Sequence, residues 1–310
     1  MDFHLASAEV LVPDGLPVEQ ALARTTHLAI AAHQDDLEIM AFDAIEHCFR
    51  REERWFCGVV ATDGRGSPRD GLYRHITDDE MWAVRRAEQK KAAVVGEYGA
   101  LVLLDYPSAA VKDACNRAPV EDLGGLLGLM RPEVVYTHNL ADKHDTHVGS
   151  CLRTIEAIRS LPREKRPEKV LGCEIWRDLD WLHDADKQVL PVDRFKNLAA
   201  SLSGVFDSQI TGGKRYDVAV AGRRTAHASF FESHATDKAD ALSFAMDLTP
   251  LVLDDAVHGP GVHAPWYGQD AQLDAWWPVA LEVWRDALRA RRARRAGLLA
   301  AAEAEGVAGT

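Results

Sequence analysis

The stretch Ala31-Ala32-His33-Gln34-Asp35-Asp36-Leu37-Glu38 places one imidazole and three carboxylates directly after an apolar run. The run, residues 28–32, is predicted to be a short strand buried on both faces, as strands of parallel sheets are. Apolar residues then recur at intervals of three and four, which predicts a helix over residues 37–51. Open α/β sheets bind ligands where a strand ends and a helix begins, and the polar cluster lies at that point.

The residue types in this cluster suit a divalent metal. His33 and Asp36 supply a nitrogen and an oxygen donor of the kind that binds zinc, and Asp35 between them would remain free as a base. A simpler interpretation is that the acidic residues only cap the next helix and complement its dipole. A histidine directly after a buried strand weighs against that interpretation, and so does a second histidine cluster.

The second cluster is His138-Asn139-Leu140-Ala141-Asp142-Lys143-His144-Asp145-Thr146-His147. It follows a predicted strand at 134–136 and leads into a predicted helix. We expect His147 to be the third metal ligand and His144 to stay free beside the metal, because three protein ligands leave a catalytic zinc one open position for water. The alternative is a pair of surface histidines at a helix start, and the placement of both clusters at strand ends disfavours it.

The order of predicted elements indicates an α/β protein. Strands alternate with helices, which predicts βαβ units and a Rossmann-like, mostly parallel sheet with helices on both faces. Polar loops at 33–38, 62–71 and 137–147 would then meet at one edge. We predict one domain over residues 1–247, including an N-terminal extension. A loop and helical C-terminal extension over residues 248–310 would pack on the same domain, cover the site edge or mediate assembly into a homo-oligomer.

Composition bounds the function further. The 310 residues are 47% hydrophobic and 27% charged, as in ordinary soluble enzymes. The net charge of -12 argues against nucleic-acid binding, which leaves a basic footprint. Five scattered cysteines without a CxxC pattern predict reduced thiols in a cytoplasmic protein. No signal peptide and no apolar run of membrane-spanning length is recognised, so no membrane span is expected.

The two clusters resemble the motifs of the LmbE-like, or PIG-L, zinc-dependent de-N-acetylases. The first family motif reads approximately AHPDD followed within two residues by Glu, and the second reads approximately D-x-H-P-D-H. The matching residues are His33, Asp35, Asp36 and Glu38 in the first motif and Asp142, His144 and His147 in the second. The resemblance covers roughly residues 27–232 and implies an LmbE-like fold.

The resemblance also implies an activity and a cofactor. The chain would be a metal-dependent amidohydrolase that removes an N-acetyl group from an N-acetylglucosamine-type sugar or glycoconjugate, with Zn²⁺ or another divalent metal held by His33, Asp36 and His147. Asp35 would be the general base, and protonated His144 would stabilise the oxyanion and help protonate the amine. Asp142 would orient His144. Arg69 and His138 would contact the substrate, and the alternative for each is an ordinary loop residue.

The chain departs from the family motifs at several positions. Gln34 and Asp145 stand where prolines are usual, and Thr146 stands where an aspartate is usual. Thr146 could cap the helix in place of that aspartate, or its lack of a carboxylate could alter the orientation of a metal ligand. Residues 40–42 lack the usual glycines, which predicts a different pocket floor and an uncommon substrate. Arg85 and Glu88 are spaced for a pair on a helix surface.

Two other functions compete with the hydrolase. The first is a non-catalytic member of the same fold that binds metal or carbohydrate, and Asp35 weighs against it because a pure binding site needs no spare base. The second is a nucleotide-binding enzyme. Neither GxGxxG nor a P-loop follows the first buried strand, and the adjacent carboxylates would repel a pyrophosphate.

Overall fold

The computed structural model describes residues 2–253. The predicted loop at 254–272, the arginine-rich helix at about 274–302 and Trp266 lie outside the described residues. The prediction of a C-terminal extension packed on the domain therefore stays a prediction.

A single mixed sheet runs through the described residues. Its strands are β1 (Glu9–Leu11), β2 (His27–Ala31), β3 (Phe56–Thr62), β4 (Ala100–Tyr106), β5 (Val134–His138), β6 (Lys169–Cys173), β7 (Lys187–Pro191) and β8 (Leu242–Asp247). The strand order is β1-β4-β3-β2-β5-β6-β8-β7. Strands β4, β3, β2, β5 and β6 are parallel, whereas β1 pairs antiparallel with β4 and β8 pairs antiparallel with β6 and β7.

The helices cover both faces of this sheet. They are α1 (Val18–Ala23), α2 (Asp36–Met40), α3 (Phe42–Cys48), α4 (Asp78–Val95), α5 (Ser108–Lys112), α6 (Ala118–Met130), α7 (Asp145–Ser160), α8 (Lys196–Gly204), α9 (Asp207–Ile210), α10 (Tyr216–Ser229) and α11 (Thr249–Leu253). Short 3₁₀ turns occur at Gly71–Tyr73, Arg163–Lys165 and Asp184–Asp186. In the described part of the chain, no helix is both long enough and apolar enough to span a bilayer. The predicted α/β class with helices on both faces is confirmed.

The central strand β2 shows why its sequence is continuously apolar. Leu28 and Ile30 pack in the core cluster that includes α1, α6, α7 and α11. Ala29 and Ala31 pack in the opposite cluster, which includes α2, α3, α4 and α8. Alternate side chains of one strand therefore enter two cores, and neither face is left for polar residues.

Close packing fixes the position of α2, the helix that follows the first polar cluster, on the sheet. Gly58 of β3 lies beneath α2, and a Cβ added at this position would approach Leu37 Cδ1 to 2.6 Å. Glycine leaves room here for the Leu37 side chain of α2 to pack directly on the strand. The residues that precede α2 are held near the ends of β2 and β3 as a result.

Several predicted boundaries are wrong in detail. The expected helix over 37–51 is divided at Ala41 into α2 and α3. The sequence before α4 also offers Asp78 as a cap, but the cap is Thr77, which forms a capping box with Glu80. Strand β6 ends at Cys173, so Trp176 lies in the loop beyond it. Strands β7 and β8 were not predicted, because their short apolar runs follow an irregular segment that gives no periodic signal.

The connections create a switch point at β2. The chain passes from β2 to β3 on one side and later returns to place β5 on the other side, with both neighbours parallel to β2. At such a point the loops that leave β2 and β5 diverge and leave a crevice. The two histidine clusters follow these two strands and therefore meet at the crevice.

A buried carboxyl on α3 leads to a prediction about stability. Glu46 is buried, and its Oε2 has no hydrogen-bond partner among residues 2–253. Burial, with Asp43 nearby, raises the pKa of Glu46 from 4.5 to about 7. The folded carboxyl thus stays protonated over a pH range in which the unfolded one ionises. Its contribution to stability is present below about pH 4.5 and is lost as the pH rises to about 7.

Glu46→Gln is expected to remove this dependence. The difference in unfolding free energy between the variant and the unmodified protein should grow in favour of the variant by up to about 3 kcal/mol as the pH rises from 4.5 to 7. Urea denaturation at the two pH values measures the difference. Glu19→Gln on α1 is the control, since Glu19 is exposed. A Glu46→Gln effect of equal size at both pH values would contradict the prediction.

Candidate active site

The turn after β2 is held in place by α4. Asp35 has a φ of 83°, in the left-handed region, which Asp tolerates better than most residues. Its backbone N–H donates to Gln89 Oε1 over 3.1 Å, and the preceding carbonyl of Gln34 accepts from Arg85. Two side chains of one helix therefore fix the backbone of this turn.

Gln34, the residue that replaces a proline of the family motif, connects the turn to β3. Its Nε2 donates to the Thr62 carbonyl over 3.0 Å. Gly64 packs against the same side chain, and a Cβ there would lie 2.2 Å from Gln34 Oε1. The contact supplies by hydrogen bonding part of the rigidity that proline would supply by its ring.

Three donor atoms from the two clusters form a compact triangle. His33 Nδ1 lies 3.2 Å from Asp36 Oδ2 and 3.2 Å from His147 Nε2. The third side, from His147 Nε2 to Asp36 Oδ2, is 3.3 Å. Ligand atoms of a tetrahedral zinc with bonds of about 2.0–2.1 Å are about 3.3 Å apart, by simple geometry. The triangle thus has the dimensions of one face of a zinc tetrahedron.

The protonation chemistry of the triangle also suits a cation. Burial lowers the pKa of His33 to about 4 and that of His147 well below its usual range, so both rings are neutral. Burial raises the pKa of Asp36 well above its usual range. The buried carboxyls of Asp35 and Asp142 lie in the same region. Neutral imidazoles and crowded buried carboxyls are the donor set that a divalent metal stabilises.

Asp142 supports His147. Its Oδ2 lies 3.3 Å from His147 Nδ1, which leaves Nε2 directed at the triangle. The same carboxylate accepts the backbone N–H groups of His144, at 3.0 Å, and of Trp176, at 3.2 Å. The structure therefore differs from the expectation that Asp142 orients the His144 ring, because the ring that it contacts is that of His147.

His138 is fully buried behind the triangle. Its Nε2 lies 3.5 Å from Asp36 Oδ2, but it accepts the Ala32 N–H over 2.8 Å. That hydrogen bond engages the lone pair that a metal would need. The ring stacks on His147 with centroids 4.0 Å apart. His138 thus packs against His147 from behind, and its burial does not favour the expected contact with substrate.

His144 lies on the open side of the triangle. Its ring stacks on His147 with centroids 4.5 Å apart and meets His33 edge-on at 4.9 Å. The side chain is half-buried, and burial lowers its pKa. A nitrogen of this ring lies within 4.8 Å of donor atoms of both His33 and His147. His144 is thus placed beside the triangle, as the sequence analysis expects.

Asp35 faces the same cavity as His144. Its Oδ2 accepts a hydrogen bond from Arg85 Nη1 over 3.3 Å. Burial raises the pKa of Asp35 to about 6, although the Arg85 guanidinium opposes the shift. A carboxylate with a pKa near 6 is a suitable general base at neutral pH.

The expected surface pair of Arg85 and Glu88 is wrong. Arg85 is buried and contacts Asp35, while Glu88 accepts hydrogen bonds from the Ser208 N–H at 2.7 Å and hydroxyl at 2.6 Å. Helix α4 buries this face against α9 and the turn after β2. The spacing of the two residues fitted a helix surface, and only the fold shows that this face is covered.

The cavity above the triangle has a volume of about 350 Å³. All three predicted polar loops contribute to its wall, but the sequence does not predict the contributions of Trp176, Gln209, Lys214 and Tyr216. These residues follow β6 or lie around α9 and α10, where the sequence has no motif. Arg69 is not part of this wall; it donates to the Arg65 carbonyl over 2.6 Å and pairs with Asp78 at 2.5 Å.

Thr146 does not cap α7. The N-cap residue is His144, whose side chain makes no capping bond, and Thr146 Oγ1 lies 3.4 Å from Asp145 Oδ1. Asp145 in turn pairs with Lys112 at 2.9 Å. Thr146 lines the cavity instead. Of the two roles considered for Thr146, capping is therefore wrong.

The sheet, its switch point and the cavity define a Rossmann-like α/β protein of the LmbE-like fold. Residues 28–158 match the family model PIG-L, described as GlcNAc-PI de-N-acetylase. The resemblance read from the two motifs is thereby confirmed over these residues. A comparison with curated protein sequences finds no match.

Solved structures share the fold at low sequence identity. The hydratase GalB, which acts on 4-carboxy-2-hydroxymuconate, from Pseudomonas putida KT2440 has a TM-score of 0.56 and 17% identity, covering 72% of this chain and 96% of that one. The N,N'-diacetylchitobiose deacetylase from Pyrococcus horikoshii has a TM-score of 0.55 and 16% identity, covering 73% and 85%. The A40926 pseudoaglycone deacetylase Dbv21 has a TM-score of 0.52 and 16% identity, covering 72% and 97%. Since a hydratase is among them, the fold alone does not decide the reaction.

Proposed function

We propose that this protein is a metal-dependent amidohydrolase that removes the N-acetyl group from an N-acetylglucosamine-type sugar or glycoconjugate. The observation that carries the proposal is the triangle of donor atoms from His33, Asp36 and His147, with sides of 3.2–3.3 Å. The carboxylate of Asp35 lies next to this triangle and is not part of it. The family match over residues 28–158 supports the same chemistry.

Zinc fits the donor set best, because two imidazole nitrogens and one carboxylate oxygen leave a fourth position free. His33, Asp36 and His147 would hold the ion. Once bound, it would polarise the amide carbonyl and lower the pKa of a water molecule toward neutrality.

The remaining steps belong to side chains of this chain. Asp35 accepts a proton from the attacking water, and its hydrogen bond from Arg85 keeps the carboxylate oriented toward the cavity. His144, on the open side of the triangle, donates a hydrogen bond to the oxyanion formed from the amide carbonyl, and the proton that Asp35 has taken from water passes, directly or through His144, to the departing amine. Asp142 keeps Nε2 of His147 directed at the triangle.

The sugar part of the substrate is supported by the cavity wall and by the relatives. Trp176 and Tyr216 meet at nearly a right angle, 88°, with ring centroids 6.0 Å apart. Both residues line the cavity, and aromatic faces provide apolar surface for a sugar ring. The description of the matching family names a GlcNAc-bearing substrate, and one similar solved structure is that of a diacetylchitobiose deacetylase.

The proposal predicts about one zinc per chain and release of amine from an N-acetylated sugar. Elemental analysis of the purified protein measures the first quantity, and a panel of N-acetylated sugars assayed for free amine measures the second. A chelator should abolish release, and added zinc should restore it. Protein that cannot be loaded with any divalent metal would refute the proposed centre. Loaded protein that releases amine from no member of the panel would instead favour a binding-only protein.

A further inference from the structure

Two lysines lie around Trp176, a tryptophan of the cavity wall. Lys214, in the loop before α10, lines the cavity, and its Nζ lies 4.9 Å from the centroid of the Trp176 ring. Lys143, in the loop after β5, is exposed, and its Nζ lies 5.6 Å from the same ring. Both ammonium groups are within the range of a cation–π contact. Three separate loops thus bring two positive charges to one indole.

Neither lysine forms an ion pair in the part of the chain that the structure describes. Within residues 2–253, neither Lys143 nor Lys214 has a carboxylate oxygen within 4.0 Å. Other lysines of the chain do have one; Lys112 pairs with Asp145 at 2.9 Å and Lys187 with Asp184 at 2.9 Å. Two ammonium groups at a shared ring repel each other, and an indole quadrupole offsets only part of that repulsion.

Charge is therefore separated along the cavity. The inner end is lined by the carboxyls of Asp35 and Asp36, and a divalent metal would compensate for much of their charge. Trp176 stands between the ends, with its ring centroid 6.3 Å from that of His144. The outer end keeps its positive charge whether or not a metal is bound. A ligand whose amide lies at the inner end would place a negative group at the outer end.

We infer that Trp176, Lys143 and Lys214 form a subsite for an acidic group, and that the N-acetylated sugar hydrolysed here carries a carboxylate or a phosphate. The inference rests on the proposed function, because it concerns the remote part of the same substrate. The sugar ring packs on the indole, and the acid accepts charge-assisted hydrogen bonds from the lysines. Lys214 contributes more than Lys143, since it lines the cavity and is half-buried.

The test compares amine release from three substrates by the metal-loaded protein. These are N-acetylglucosamine, N-acetylmuramic acid, which carries a carboxylate, and N-acetylglucosamine 6-phosphate. We expect kcat/KM to be at least about tenfold higher for one or both acidic sugars than for the neutral one. The more strongly preferred of the two identifies the acid. This preference should shrink as ionic strength rises.

Variants of Lys214 separate the subsite from a general effect on the fold. Lys214→Gln should raise KM for the acidic sugar about tenfold more than it raises KM for the neutral sugar, so that most of the preference is lost. Lys214→Arg keeps the charge and should retain most of the preference. Lys91→Gln removes an exposed lysine of α4 outside the cavity wall and should change nothing.

Two results would overturn the inference while leaving the proposed function intact. One is equal use of the neutral sugar and both acidic sugars. The other is a Lys214→Gln variant that weakens all three substrates alike. If the unmodified protein releases no amine at all, the proposed function fails, and calorimetry with glucose and glucose 6-phosphate decides the subsite. Tighter binding of the phosphate that Lys214→Gln abolishes would support the subsite, and equal binding would refute it.

Discussion

Asp35→Asn is expected to lower the kcat of amine release by about 10²–10⁴-fold, the usual contribution of a general base, while the protein keeps its metal. Asparagine has nearly the same shape as aspartate and tolerates the left-handed φ of 83° at this position. The backbone N–H can still donate to Gln89, so the turn should persist. What the substitution removes is the ability to take a proton from water.

The measurement pairs steady-state amine release with metal content. Asp122→Asn on α6 is the matched control, because Asp122 is also buried and also accepts a hydrogen bond, which the Tyr106 hydroxyl of β4 donates over 2.6 Å. It should lose little activity, even if it loses stability. Parallel loss of metal and turnover in Asp35→Asn would reassign Asp35 to the ligands. Full activity would remove it from the mechanism.

His147→Ala is expected to abolish both metal binding and amine release. The substitution deletes one corner of the donor triangle and leaves Asp142 without the ring that it contacts at 3.3 Å. Two remaining ligands bind zinc far more weakly than three. Equilibrium dialysis against zinc, followed by the amine assay on the same samples, measures both losses.

Two further variants make the His147 result specific. Asp142→Asn should weaken metal affinity by about 10–100-fold without abolishing it, as is typical when the partner of a ligating histidine is changed. His227→Gln is the control for loss of a buried histidine. The His227 ring contacts Glu174 over 3.1 Å, and His227 does not line the cavity. It should keep the metal.

His144→Ala distinguishes two possible ligand sets. A nitrogen of His144 could join those of His33 and His147 around an ion, because the three lie within 4.8 Å of one another. The triangle with Asp36 instead leaves His144 free. We expect His144→Ala to keep its metal and lose turnover. Loss of metal by this variant would favour the set of three histidines.

The sequence was sufficient to predict the parts of the site that follow strands. An apolar strand followed by His33 and Asp36, and a second cluster ending in His147, located both loops of the switch point because parallel strands bring their carboxyl ends together. The class of fold followed from the same alternation of strands and helices. No contact between side chains had to be known for either conclusion.

The sequence could not predict which groups support and surround those residues. Asp142 lies two positions before His144 and five before His147, and only the path of the loop decides which ring it contacts. The Ala32 N–H that engages His138 Nε2 comes from another strand end, 106 residues earlier. Trp176 and Lys214 belong to loops without periodicity, and their approach to the cavity depends on how β6 and α10 pack.

The left-handed backbone at Asp35 has a consequence for how this protein can change. Glycine adopts that conformation without the steric cost that a side chain incurs, so Asp35→Gly would relieve strain in the turn. The same substitution would leave the buried Arg85 guanidinium without the carboxylate that lies 3.3 Å away, so the side chain that strains the turn also supplies a counter-charge. Directed evolution of a more heat-tolerant protein must therefore screen for turnover whenever position 35 changes, because stability alone does not report on the proposed base.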